Sequence, residues 1–231
     1  MKYKLYGAIF CAMFFIMKTN AQFDTSKKAN LHIILTNGAS KPLVNEEIIV
    51  SDSLKIKVYK LTTNQKGEIN QLVSAGFLYN IFLRTLQDTT FYGSINIPGI
   101  TAKQFYTTPF DIEMVYEPAK QYTFHNLEFD NGKSTIRKES FPELNLLVEY
   151  LKKKNDIKVS IIGHTDNIGS EDANNKLSMQ RAEAVRNFVV QNGISATRIS
   201  CSGVGASQPI DDNNTAIGKQ KNRRIELRFF E

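Results

Sequence analysis

An aspartate and an arginine, Asp166 and Arg181, are the two side chains in this sequence best suited to act together chemically. Asp166 lies in the segment GHTDNIG (163–169), which follows a predicted strand and whose glycines let backbone amides approach a ligand closely. Arg181 falls one helical turn after Leu177 and one before Val185, on the apolar stripe of a predicted helix. A guanidinium on that stripe, near the N-terminal end of the helix, is unfavourable unless an anion meets it.

Spacing alone leaves two interpretations of this pair open. In the first, Asp166 and Arg181 form a structural salt bridge that closes the loop. In the second, the two charges flank a cleft and hold a zwitterion, with Asp166 binding its ammonium and Arg181 binding its carboxylate through a bidentate contact. A strand–loop–helix unit folds the start of the helix back over the loop, so Asp166 is the nearest candidate anion for Arg181 in both cases.

The elements that must position this pair alternate between strand and helix over residues 119–231, which indicates a mixed α and β domain. Apolar residues recur at helical spacing between 141 and 151, and Gly193 is a C-terminal stop for a second helix. The predicted elements are strands at 122–129, 157–162, 199–204 and 223–230 and helices at 141–151 and 175–192.

Residues 22–118 read differently, as short β-patterned runs separated by turn residues. Leu54, Ile56 and Val58 alternate with polar residues, which predicts a strand over 54–59 with one solvated face. About seven short strands without a helical pattern predict a β-sandwich. Basic and acidic residues balance in this half, and it contains no catalytic constellation. The other predicted strands are 31–35, 46–50, 67–73, 77–83, 90–97 and 111–116.

Residues 1–21 have the three-part pattern of a secretory signal peptide. Two lysines precede the apolar run 5–17, and small residues lead to a cleavage site after Ala21. The run is shorter than the roughly 20 residues that span a bilayer, so we expect cleavage, no transmembrane segment afterwards and a periplasmic location. A retained anchor, lipidation at Cys11 and association with the outer membrane stay open as alternatives.

Charge and composition exclude several classes of function. Cleavage after Ala21 lowers the formal net charge from +6 to +3, which argues against a nucleic-acid surface. His164 has no second His or Cys spaced to complete a metal site, so neither a metal nor a cofactor is expected. Asp130 and Asp166 are the only carboxylate pair available to a hydrolytic enzyme, and the nearby Arg181 suits binding better than acid catalysis. We therefore expect a protein that is not an enzyme.

Ordered motifs in the second half identify a family. L-E-F-D-N-G-K-S-T-I opens the region, and G-H-T-D-x-x-G, N-x-x-L-S-x-x-R-A-x-x-V, G-I-x-x-x-R-I, G-x-G-x-x-x-P and G-x-x-x-N-R-R-I-E follow. Residues 120–231 thereby resemble the OmpA-like C-terminal, peptidoglycan-binding domain of outer-membrane porins, the peptidoglycan-associated lipoprotein and the flagellar-motor stator. Turn motifs in the first half resemble transthyretin-like or carboxypeptidase-regulatory-like sandwiches.

The OmpA-like resemblance implies a βαβαβ core with a further strand, which binds the diaminopimelate of peptidoglycan stems without catalysis. It implies that Asp166 binds the ammonium and Arg181 the carboxylate of the diaminopimelate side chain. It also implies that Asn174 and Asp130 occupy supporting polar positions. Strand alternation places Arg223, rather than its neighbour in N-R-R, on the ligand side. The supporting residues expected around this site are Gly163, His164, Thr165, Gly169 and Asn222.

The sequence thus predicts an α+β protein of three parts: a signal peptide (1–21), a β-sandwich (22–118) and an OmpA-like domain (119–231). The expected function is anchoring of the cell envelope, or of a partner, to peptidoglycan. The alternative is a periplasmic adaptor in which residues 22–118 bind an envelope protein and the C-terminal domain is structural.

Overall fold

The computed structural model describes residues 2–5, 26–86, 88–124, 127–130 and 132–230. The chain forms two compact units, Met1–Pro118 and Ala119–Glu231. Apart from residues 2–5, the predicted signal peptide, including its apolar run and Cys11, lies outside the described residues. Within the described part of the chain, no helix has the length and apolar character needed to cross a membrane.

The N-terminal unit consists of two four-stranded sheets, ordered β1-β8-β2-β5 and β4-β3-β6-β7. Its strands are β1 (Lys2–Leu5), β2 (Lys28–Thr36), β3 (Glu47–Asp52), β4 (Val58–Thr62), β5 (Glu68–Ser74), β6 (Phe77–Arg84), β7 (Thr89–Ile97) and β8 (Phe110–Val115). Alternate residues of both sheets, such as Leu31 and Ile33 in β2 and Tyr79 and Ile81 in β6, are buried in one hydrophobic core. The described residues of this unit thus form two sheets whose buried residues share one hydrophobic core.

The strand predicted at 54–59 is wrong over most of its length. Asp52 is fully buried, and its carboxylate accepts hydrogen bonds from the backbone amides of Leu54, Ile56 and Lys57 at 3.0, 3.0 and 2.7 Å. These bonds fold the segment into a turn, and β4 begins only at Val58. The Asp52 carboxylate thus binds backbone amides that would otherwise pair with a neighbouring strand. The side chains of Leu54 and Ile56 are exposed.

In its described residues, the C-terminal unit has one four-stranded sheet, ordered β11-β10-β12-β9, and three α-helices. Along the chain these are β9 (Gln121–Thr123), α1 (Phe141–Lys153), β10 (Lys158–Gly163), α2 (Glu171–Gln191), β11 (Ile199–Gly203), α3 (Ala216–Asn222) and β12 (Ile225–Phe230). Strand β10 pairs in parallel with β11 and antiparallel with β12. The prediction of a mixed α+β chain is confirmed.

Helix α2 packs against β10 and β11 through two glycines at the ends of those strands. A methyl group on Gly163 would overlap the backbone carbonyl of Ser178, and one on Gly203 would overlap the backbone amide of Met179. Both positions therefore require glycine for close approach rather than for an unusual dihedral angle. Since Gly163 ends the strand before the GHTDNIG loop, this contact fixes the loop relative to the helix.

Two helix boundaries differ from the sequence prediction. Helix α2 starts at Glu171 and not at 175, because the Ser170 side chain caps it by accepting a hydrogen bond from the Ala173 amide at 3.3 Å. The short helix α3 lies in a segment to which the sequence pattern assigns no element, before the strand expected from residue 223. Thr215 caps α3 by accepting a hydrogen bond from Gly218, and Arg223 follows its last residue.

Candidate functional site

Asp166 lies in the loop between β10 and α2, where its side chain is 10% exposed. Its Oδ1 accepts a hydrogen bond from the Ile168 amide at 3.1 Å, which closes a local turn. Its Oδ2 accepts one from Nη1 of Arg223 at 2.6 Å. The carboxylate is thus an almost buried anion, held by one backbone amide and one guanidinium.

Arg181 is buried in the middle of α2, with 7% of its surface exposed. The expectation that it lies near the N-terminal end of its helix is wrong, because α2 begins ten residues earlier, at Glu171. The helix dipole therefore has little effect on it. Its Nε donates to the backbone carbonyl of Lys133 at 3.1 Å, and its guanidinium lies over the ring of Phe129, 5.0 Å from the ring centre.

The structural salt bridge between Asp166 and Arg181 is not the arrangement found, since the ion-pair partner of Asp166 is Arg223. Burial lowers the pKa of Arg181, the positive charge of Arg223 lowers it further, and the negative charge of Asp166 opposes both effects. Arg181 remains charged at neutral pH, because a guanidinium pKa starts far above that range. The two terminal nitrogens of Arg181 have no hydrogen-bond acceptor among the residues that the structure describes.

Arg223 reaches the site from the junction between α3 and β12, and its side chain is 42% exposed. It precedes the strand and does not lie on one strand face, so its direction follows from the end of α3. Arg224 points into a different environment: it is 8% exposed, and its Nη2 donates to the Gln208 carbonyl at 3.2 Å. Of the two arginines in N-R-R, Arg223 is thus the one in contact with Asp166.

Asn174, in the first turn of α2, and Gly169, in the loop itself, shape the loop that carries Asp166. The Asn174 amide group is buried and donates to the backbone carbonyl of Asp166 at 3.4 Å. Gly169 has a φ of +101°, a conformation that favours glycine because it lacks a Cβ atom. Together they hold the backbone that presents the Asp166 carboxylate.

Asp130 lies in a turn, and within the described part of the chain it forms no hydrogen bond or ion pair with Asp166 or Arg181. Its carboxylate lies 3.5 Å from Nε of Arg137, and its backbone carbonyl accepts a hydrogen bond from the Lys133 amide at 2.9 Å. That turn presents the Lys133 carbonyl to Arg181, and Phe129 lies immediately before Asp130. The structure therefore places Asp130 in the segment that supports Arg181.

His164 and Thr165 anchor the first part of the loop by their backbone amides, which donate to the carbonyls of Arg224 and Gly205 at 3.0 and 2.9 Å. The ring of His164 is 1% exposed, and neither ring nitrogen has a hydrogen-bond partner among the described residues. Its Nε2 lies 3.8 Å from the carboxylate of Glu226. Burial lowers the pKa of His164 to about 4, so the ring is neutral at neutral pH and serves as a support below the loop.

Asn222 braces the segment before α3. Its side chain is fully buried, accepts from the amides of Ile210 and Asp211 at 2.8 and 3.1 Å, and donates to the Asp211 carbonyl at 2.9 Å. These bonds fix the C-terminal end of α3, which is the residue directly before Arg223.

The site contains the guanidinium groups of Arg181 and Arg223 and the carboxylate of Asp166, so its net charge is positive. Such a site can bind an anionic group through Arg181 and a cationic group through Asp166. Within the described residues, no group of three or more His, Cys, Asp or Glu side chains could hold a metal ion. The charged side chains of Asp166, Arg181 and Arg223 offer recognition of charged groups.

Two supports of Arg181 were not predicted from the sequence, the ring of Phe129 and the carbonyl of Lys133. Both belong to the segment L-E-F-D-N-G-K-S-T-I, in which the sequence pattern predicts only a strand position for Phe129. Phe129 and Arg181 form a cation–π contact although they lie 52 residues apart in the chain. Local sequence patterns cannot predict a contact over that separation.

Sequence comparison finds relatives of the C-terminal part of the chain. The Escherichia coli probable lipoprotein YiaD is 37% identical over 103 residues, 45% of this chain and 47% of that protein. The Mycobacterium bovis peptidoglycan-binding protein ArfA is 38% identical over 101 residues, 44% of this chain and 31% of that protein. Outer membrane porin F of Pseudomonas fluorescens is 36% identical over 101 residues, 44% of this chain and 31% of that protein. The chain thus spans less than half the length of each of these relatives.

Among solved structures, the peptidoglycan-associated lipoprotein of Burkholderia pseudomallei is similar with a TM-score of 0.42 and 24% identity. The similarity covers 48% of this chain and 91% of the lipoprotein. The model of the OmpA family matches residues 128–223, which contain Asp166, Arg181 and Arg223. Residues 128–223 of this chain are therefore similar to the OmpA family.

Proposed function

We propose that the C-terminal unit binds peptidoglycan without catalysis and recognises the charged end of the diaminopimelate side chain in its peptide stems. The observation that carries this proposal is the state of Arg181. It is a buried cation fixed by a backbone carbonyl and an aromatic ring, and its terminal nitrogens lack an acceptor among the described residues. A buried charge held in this way favours an anionic ligand.

The charges around Arg181 select the type of anion. Two guanidinium groups and one carboxylate lie at the site, so a ligand with one carboxylate and one ammonium would find an opposite charge for each of its two groups. Arg181 would bind the carboxylate in a bidentate contact and Asp166 would bind the ammonium. The end of a diaminopimelate side chain carries both groups on one carbon atom.

Similarity to known proteins supports peptidoglycan as the ligand. One of the relatives, the mycobacterial ArfA, is named a peptidoglycan-binding protein, and residues 128–223 match the OmpA family model. Peptidoglycan lies in the cell envelope, so this function agrees with export by the predicted signal peptide and with a periplasmic location.

Anchoring suits a site of this kind better than a single tight complex does. Two charge-assisted contacts at a partly solvated site give modest affinity. The cell wall presents the same stem many times, so rebinding would retain the protein. Incubation with labelled sacculi should release no soluble fragments, because binding leaves the polymer intact.

The proposal is tested by replacing Arg181 with alanine and measuring pull-down of the full chain with sacculi. We expect Arg181→Ala to reduce binding by at least about tenfold, a loss of ~1.4 kcal/mol, because the carboxylate contact is removed. Lys176→Ala is the matched control, since Lys176 is an exposed cation on the same helix. Pull-down of Arg181→Ala at the wild-type level, with thermal unfolding showing a folded domain, would contradict the proposal.

A second candidate function concerns the N-terminal unit. Leu54 and Ile56 are 69% and 73% exposed on the turn that Asp52 closes. Two neighbouring apolar side chains on a rigid turn favour contact with another protein. This observation supports an adaptor that binds an envelope protein through residues 22–118.

A further inference from the structure

The ion pair between Arg223 and Asp166 puts a cation of the protein where the proposed ligand's ammonium would bind. Nη1 of Arg223 lies 2.6 Å from Oδ2 of Asp166, and Oδ1 accepts the amide of Ile168 at 3.1 Å. Both carboxylate oxygens therefore have partners before a ligand arrives. An ammonium can reach Asp166 only by sharing or replacing the contact with Arg223.

Of the two arginines at the site, Arg223 is the one that can be displaced. Its side chain is 42% exposed, and Asp166 is the only hydrogen-bond acceptor for its guanidinium among the described residues. Arg181, by contrast, is buried and held by the Lys133 carbonyl and the Phe129 ring. Displacement of Arg223 therefore breaks one ion pair and leaves the rest of the site in place.

We propose that Arg223 is a specificity-determining residue that makes binding require a carboxylate in addition to an ammonium. This inference rests on the proposed function. A ligand ammonium takes Asp166 from Arg223, and the released guanidinium then pairs with the ligand's own carboxylate beside Arg181. A ligand with an ammonium alone breaks the Asp166–Arg223 ion pair and has no carboxylate to pair with the released Arg223. Such a ligand therefore binds less tightly.

Repulsion between the two arginines strengthens this exchange. The charge of Arg223 lowers the pKa of Arg181, so the two cations are within electrostatic reach of each other. Asp166 opposes that effect in the unliganded protein. A ligand carboxylate between Arg181 and Arg223 would offset their repulsion in the complex, whereas a neutral amide or a methylene group would not.

The test is calorimetric titration of the full chain with two soluble muropeptides that differ only in the third residue of the stem. One carries meso-diaminopimelate, with an ammonium and a carboxylate at its side-chain end, and the other carries lysine, with an ammonium alone. The variant is Arg223→Gln, which should fold because the side chain is partly exposed. Lys221→Gln is the control, as it removes an exposed cation two residues earlier, paired with Asp211.

We expect the wild-type protein to prefer the diaminopimelate peptide by about tenfold or more. Compared with the wild type, Arg223→Gln should bind the lysine peptide several-fold more tightly and the diaminopimelate peptide less tightly. The ratio of the two affinities should therefore fall towards one. Arg223→Lys, which keeps the charge, should retain a preference, and Lys221→Gln should leave it unchanged.

Two results would overturn the inference and can be told apart. If Arg223→Gln weakens both peptides by the same factor or leaves their ratio unchanged, Arg223 does not determine specificity, although the proposed function stands. If the wild-type protein binds neither peptide, the proposed function fails and the inference fails with it.

Discussion

Burial controls the charge of His164, the residue two positions before Asp166. Its ring is 1% exposed and lies among three charged groups, Arg224, Glu226 and Arg228. Burial and the charge of Arg224 are the main causes that lower the pKa to about 4, Arg228 lowers it further, and Glu226 opposes them. The folded protein therefore excludes a proton that the unfolded chain accepts below a pH of about 6.5.

This difference predicts a pH-dependent loss of stability. As the pH falls from 6.5 towards 4, the unfolded state binds a proton and the folded state does not, so the free energy of unfolding decreases by about 3 kcal/mol. Denaturant unfolding of the C-terminal unit at pH 7 and pH 4.5 measures this loss. Over that range, the free energy of unfolding of His164→Gln should decrease by about 2 to 3 kcal/mol less than that of the wild type. An equal loss in both proteins would show that His164 is not the group responsible.

The members of the charged site were more predictable than their pairing. Asp166 and Arg181 were found from a glycine-flanked loop and from a charge on an apolar helical stripe, both of which are local patterns. The contact between Asp166 and Arg223 joins residues 57 positions apart and depends on where a short helix ends. Sequence periodicity does not report on contacts between residues so far apart, so this ion pair could be identified only from the structure.

At the level of strands and helices, apolar periodicity predicted those elements that bury one face. The strand predicted at 31–35 lies within β2, where residues alternate between buried and partly exposed, and the helix predicted at 141–151 lies within α1. The failures have local causes. The turn after β3 alternates like a strand but is closed by Asp52, and α3 has seven residues held by the Thr215 cap and the buried Asn222.

The close packing of α2 on the sheet predicts a strong effect of one methyl group. Gly163→Ala would force the Ser178 carbonyl away, so we expect a cost of about 1 to 3 kcal/mol and a lower thermal midpoint. Sacculus binding should also fall, because Gly163 begins the loop of Asp166 and α2 carries Arg181. Gly38→Ala is a suitable control, since its methyl group would meet only the flexible side chain of Glu117. A wild-type midpoint for Gly163→Ala would contradict this account of the packing.

For the whole molecule, the division into two units separates two possible roles. Each unit is compact by itself, and the residues of the charged site, from Phe129 to Arg223, all belong to Ala119–Glu231. The exposed Leu54 and Ile56 belong to the other unit. Wall binding and contact with a protein partner should therefore be separable by dividing the chain.

We predict that residues 119–231 alone bind sacculi within about twofold of the full chain, because the charged site and its supports are all contained there. Residues 22–118 alone should remain in solution. Sedimentation of each fragment with sacculi measures both results, and the 119–231 fragment carrying Arg181→Ala tests whether its binding uses the charged site. If the 119–231 fragment is folded but stays in solution while the full chain sediments, the N-terminal unit takes part in wall contact, and the adaptor function becomes the better description.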